Sequence, residues 1–130
     1  MILLTIQAKN ARLAGLRDAI DTGGGTAHLR LYAGPQPPLG QPPGGGHLVS
    51  ISLPAPCGTV ANGELALSVP SWVVVSASGT LAWGRITSRA GEVIADLTVG
   101  VTGSGQAIEC NSLAVAAGGL LAITNAVLRE

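Results

Sequence analysis

The chain contains no Phe, and Tyr32, Trp72 and Trp83 are its only aromatic residues. Its core must be assembled from Ala, Val, Leu and Ile, which bury less area per residue than rings do. Such a domain is marginal alone and gains stability from neighbours. Charge is scarce too. Seven basic and seven acidic residues leave no net charge and a charged fraction of 11%, less than half of the roughly 25% usual in soluble domains. Lys9, Arg12, Arg17, Arg30, Arg85, Arg89 and Arg129 are scattered among acids, so the cationic stripe needed for phosphate binding is missing and no nucleic-acid partner is expected. A neutral, charge-poor surface favours association with other proteins instead.

Cysteine is limited to Cys57 and Cys110. Two cysteines frame no disulfide network and no all-cysteine zinc site, and free, partly buried thiols are expected of both. Long apolar runs are also lacking. Leu113 to Val127 is interrupted by Gly118-Gly119 and Thr124-Asn125, short of the roughly 18 residues that a spanning helix requires. Met1 to Ile6 is apolar but lacks the basic start and the length of a signal segment. These absences lead to the expectation of one domain, made and kept in a cytoplasm, with no membrane partner.

What is abundant is glycine, 19 of 130 residues, about twice its usual share. One helix is expected over residues 8–21, where Leu13, Leu16 and Ile20 follow helical spacing before Gly23-Gly24-Gly25 ends it. The period then becomes two. Ala27, Leu29 and Leu31 alternate with His28, Arg30 and Tyr32, as in a half-buried strand. Residues 34–46 hold five Pro and five Gly, excluding ladder and helix alike, and read as a mobile or extended loop. Strand signals resume over 47–53, 64–69, 72–76, 80–88, 93–99, 106–110, 112–115 and 120–128. Short strands at near-regular spacing, with Gly and Pro turns, predict a mainly β domain over 8–130. The expected form is an antiparallel jelly-roll-like sandwich of about eight strands with one short amino-terminal helix. Residues 1–7 are expected as an apolar arm or an edge strand.

Catalytic patterns are hard to find. His28 and His47 flank the Pro/Gly loop without a third ligand. Glu92 and Asp96 read as solvated turn and strand-face residues, and no carboxylate pair is indicated. Gly23-Gly24-Gly25 follows a helix instead of opening one, and Gly100 to Gly105 lacks the lysine of a phosphate loop. Ser71, Ser76 and Ser78 have no partnered base. No enzyme activity, cofactor or metal is expected. Trp72 and Trp83 are both expected in the core. The candidate protein interface is apolar: Ile2, Leu3, Leu4 and Ile6 of the arm, with Pro35, Pro37, Pro38, Pro42 and Pro43 of the loop. A Pro-rich segment loses less entropy on docking, which suits a clamp.

Certain segments occur in a familiar order. After the helix and its Gly turn comes Leu29-Arg30-Leu31-Tyr32-Ala33-Gly34-Pro35-Gln36-Pro37. Ser78-Gly79-Thr80-Leu81-Ala82-Trp83-Gly84-Arg85-Ile86 follows, then Asp96-Leu97-Thr98-Val99-Gly100, and finally Ala117-Gly118-Gly119-Leu120-Leu121-Ala122-Ile123-Thr124. Over residues 8–128 this resembles small virion proteins of tailed bacteriophages, of the cement or head-decoration type. The resemblance implies a jelly-roll-like sandwich, a homo-oligomer (dimer or trimer) and the major capsid protein as partner. It also implies a place on the capsid surface of the virion, after assembly in a host cytoplasm, and it transfers no catalytic residues. Two other readings stay open: a tail or adsorption component, such as a carbohydrate-binding β-sandwich, and a small β-fold enzyme in which His28 and His47 meet an acid.

Overall fold

The structure, a computed structural model, describes residues 2–129. It opens with the expected helix, α1 (Ile6–Asp21), two residues earlier than the apolar spacing suggested. Thr5 sets the start. Its Oγ1 accepts the Ala8 amide at 3.2 Å, supplying a partner that the first turn otherwise lacks. Leu13 and Ile20 are buried, and the Thr22 hydroxyl donates to the Asp18 carbonyl at 2.7 Å to close the last turn. Gly23 then passes so close to the Arg89–Ala90 backbone that a Cβ would lie 2.3 Å from the Ala90 nitrogen. Only glycine fits there.

Among the described residues ten strands follow: β1 (Ala27–Ala33), β2 (Val49–Leu53), β3 (Gly58–Ala61), β4 (Glu64–Leu67), β5 (Trp72–Val74), β6 (Gly79–Thr87), β7 (Val93–Val101), β8 (Ile108–Cys110), β9 (Ala114–Val115) and β10 (Leu120–Arg129). The expected strands are present, most of them trimmed at the ends. β3 was not expected. It forms a hairpin with β4 across Asn62 (φ 53°) and Gly63 (φ 75°), the two left-handed residues that a tight primed turn needs. The Gly63 amide donates to Asn10 Oδ1 at 2.7 Å, so the helix holds this turn.

The architecture corrects the jelly-roll expectation. The strands form one curled sheet, ordered β2-β1-β6-β7-β8-β10-β4-β3, with β5 attached to β10 and β9 to β6. The result is a half-barrel, not a two-sheet sandwich. Nor is it wholly antiparallel, because β7 and β8 run parallel from Val99↔Ile108 to Val101↔Cys110. The physical reason lies in β10. Its first residues pair with β5, its middle with β8 and its end with β4, so one ten-residue strand carries the sheet past the point where a sandwich would split. Register shifts at Ile123/Asn125, Tyr32/Ala33 and Ile86/Thr87 add the coiling that curls it.

Small aliphatic side chains fill the concave side: Leu29, Leu31, Val49, Ile86, Ile108 and Leu121 among them. Cys57 and Cys110 are free and fully buried in this core. Burial pushes both thiols up to about 11; the charge of Asp21 adds to the effect at Cys57. Both pKa values are raised on folding, so this contribution to stability is complete below pH 9. It is lost as pH climbs from about 9 to about 11. Thermal unfolding from pH 8 to 11 should therefore show a downward slope that Cys57→Ala lessens. At pH 8 neither folded thiol should react with a disulfide reagent, whereas both should react in denaturant.

Candidate functional site

Opposite the core, the outer face of β1, β6 and β7 carries Tyr32, Trp83, Arg85 and Asp96. Strand alternation places them there: Tyr32 pairs with Trp83, and Arg85 with Asp96. These side chains stack. The Trp83 and Tyr32 rings lie 4.5 Å apart at 14°, and the Arg85 guanidinium carbon sits 5.1 Å from the Trp83 ring centre. The ring of His47 meets Tyr32 edge-on at 6.4 Å. Trp83 Nε1 donates to the Ala33 carbonyl at 3.1 Å, satisfying the polar end of a residue only 1% exposed.

Arg85 is the centre of the arrangement. Its Nε and Nη2 donate to the two Asp96 oxygens at 2.6 and 3.0 Å, and its Nη1 donates to the Gln41 carbonyl at 2.7 Å. The two side chains are only 5% and 4% exposed. The two-pronged hydrogen bond to Asp96 raises the Arg85 pKa, burial opposes that rise, and the Asp96 charge reinforces it. Asp96 is therefore not the solvated strand-face residue expected from its surroundings in sequence. Glu92, its companion in that reading, is exposed.

The Gln41 carbonyl belongs to the Pro/Gly segment 34–46. Instead of extending away, this segment folds back over the outer face as a strap, which is why Trp83 and Arg85 are buried on the side away from the core. A turn closed from the Gln41 amide to the Pro38 carbonyl, 3.0 Å, forms its tip and leaves Leu39 65% exposed. Pro35 and Pro37 on one limb face Pro42, Pro43 and Gly44–Gly46 on the other across a cleft of about 380 Å³ floored by Tyr32. Four of the five anticipated prolines meet here. Pro38 lies at the tip, outside the cleft.

The arm residues are gathered elsewhere. Ile2 and Leu3 are 79% and 86% exposed, and Leu4 is half-buried. They form a shallow recess with Lys9 and Arg12. Among the described residues the arm joins no strand, so the edge-strand alternative is not realised; Met1 lies outside the described residues. Ile6, expected in the arm, belongs to the first turn of α1 and lies beside Gly63.

Trp72 overturns its expected core position. It is 58% exposed, beside Val74 and Leu120, each 64% exposed. β5 is too short to wrap over the core, and alternation turns Val73 inward and its two neighbours outward. His28 on β1 has its pKa lowered by burial and by the nearby charges of Arg30 and His47. Among the described residues no three His, Cys, Asp or Glu side chains gather as a metal site. Glu109 is buried, accepting the Gly103 and Gly105 amides at 3.3 and 2.7 Å. It thereby fixes the turn between the parallel strands. No family model matches this chain, and no curated protein and no solved structure was found to match it.

Proposed function

We propose that the chain is a non-enzymatic structural protein of a tailed-phage virion, a capsid-decoration protein that binds the major capsid protein lattice. The strap carries the reading. Its prolines and exposed Leu39 are held in place by the Arg85 bond to Gln41, so much of the ordering cost of docking is met at folding. A modest contact of this kind becomes strong when repeated over a shell.

Co-sedimentation with emptied phage capsids, followed by electron microscopy, tests the proposal. Density at fixed lattice positions is expected, and Leu39→Asp should lower occupancy about tenfold, the effect of about 1.4 kcal/mol. Density at the tail alone would move the protein to the adsorption apparatus, and binding to neither would remove the virion reading. Exposed Trp72 invites a carbohydrate-binding alternative. Its neighbours Val74 and Leu120 offer no side-chain hydrogen bonds to sugar hydroxyls, and a blank glycan array is expected.

A further inference from the structure

Among the described residues, two groups of exposed apolar side chains lie outside the strap. One is the arm, with Ile2 and Leu3; the other is the Trp72–Val74–Leu120 face. We propose that two copies of this chain exchange arms, Ile2–Leu4 of each seating on the Trp72–Val74–Leu120 face of the other. This goes beyond the capsid reading and does not depend on it.

The positions of the two surfaces exclude self-coverage. The arm leads into α1, whose first turns lie against Gly63. Beside that turn, Glu64 pairs with Arg129 at the end of β10. Trp72 and Val74 pair with Ala122 and Leu120 at the start of β10. Along the strand the two surfaces are therefore roughly 23–30 Å apart. The five residues before the helix reach at most about 18 Å. A second copy, related by a two-fold axis across the middle of β10, brings each arm to the other copy's face.

Area and charge agree with a second copy as occupant. The exposed surface of Ile2, Leu3, Trp72, Val74 and Leu120 comes to roughly 700 Å², so reciprocal exchange can bury up to roughly 1,400 Å², within the range of stable specific interfaces. A one-sided contact would bury half as much and fall below it. Ile2–Leu4 and the Trp72–Val74–Leu120 face are themselves uncharged, Lys9 and Arg12 being the cations that flank the arm, and the chain has no net charge to drive two copies apart. Among the described residues β5 has a strand partner, β10, on one edge only. The extended arm can therefore add main chain as well as side chains.

Sedimentation velocity of the full chain, from about 1 to 100 μM, spans the weak to moderate dissociation constants of such an interface. A closed dimer is expected. Leu3→Asp and, separately, Trp72→Asp should each raise its dissociation constant at least about thirtyfold. Both positions are exposed in the single chain, so melting of the dilute variants should match the parent. A wild-type monomer throughout the range, or a dimer indifferent to Leu3→Asp or to Trp72→Asp, would overturn the proposal.

Discussion

Asp96→Ala is expected to destabilise the fold by about 3 kcal/mol and to loosen the strap. The substitution leaves the Arg85 guanidinium beneath the strap with only the Gln41 carbonyl and the Trp83 face as partners. A buried charge robbed of its counter-charge typically costs 3–5 kcal/mol; the lower end applies because only the strap separates the pair from water. The informative contrast is the double replacement Arg85→Met with Asp96→Leu. Removing both charges also removes both desolvation penalties, so the melting temperature should stay close to wild type or rise. The Gln41 carbonyl nevertheless loses its donor, and the strap should exchange its amide hydrogens faster. In a Trp72→Phe background, Trp83 should also become accessible to a fluorescence quencher. Stability and strap order are thus expected to separate. A double variant that melts early while its strap stays protected would mean that the pair supports the sheet and does not position the strap.

The elements of this fold were legible where a local rule governs them. Leu13, Leu16 and Ile20 mark α1, and the alternation of Ala27, Leu29 and Leu31 with His28, Arg30 and Tyr32 marks the two faces of β1, whereas Trp83 of β6, expected in the core, is buried on the outer face instead. β3 was missed although Asn62-Gly63 lies between Val60-Ala61 and Glu64-Leu65, a two-residue hairpin signal as strong as short sequences offer. What stayed illegible is non-local. Nothing in Gly103-Ser104-Gly105 distinguishes a hairpin turn from the six-residue return that sets β8 parallel to β7, because the deciding contact is the Glu109 carboxylate reaching back to two glycine amides. The candidate site failed in the same way. Counting outward from the Arg89–Glu92 turn places Arg85 beside Asp96, but only the strap, arriving from residues 34–46, turns that exposed pair into a buried one. Trp72 was misjudged because residue type was weighed over strand length. Three residues attached to one partner strand leave every second side chain outside.

Gly58→Val is expected to destabilise the fold by about 3 kcal/mol or more, by an unrelated route. Gly58 pairs with Leu67 on β4, and a Cβ there would lie 2.2 Å from the Ala66 carbonyl oxygen and 2.9 Å from its carbon. Both are backbone atoms of a paired strand and cannot swing aside as a side chain would. To accept even a methyl group, β3 must move off β4, and valine adds two more. The displacement spreads, because the Cys57 amide donates to Asp21 Oδ1 at 3.0 Å and the Cys57 carbonyl accepts the Ser68 amide at 2.8 Å. Losing those bonds unties the end of α1 from the hairpin and opens the pocket around the Cys57 thiol. Reaction of that thiol at pH 8 should therefore quicken along with the fall in melting temperature. Gly15→Ala supplies the opposite sign on the same helix. No atom lies within 4 Å of a Cβ built there, and alanine in an exposed helix interior gains about 0.5–1 kcal/mol over glycine. If Gly58→Val melts like wild type while Gly15→Ala raises stability as expected, β3 is not held against β4 at this distance. The hairpin that supports the helix would then have to pack differently.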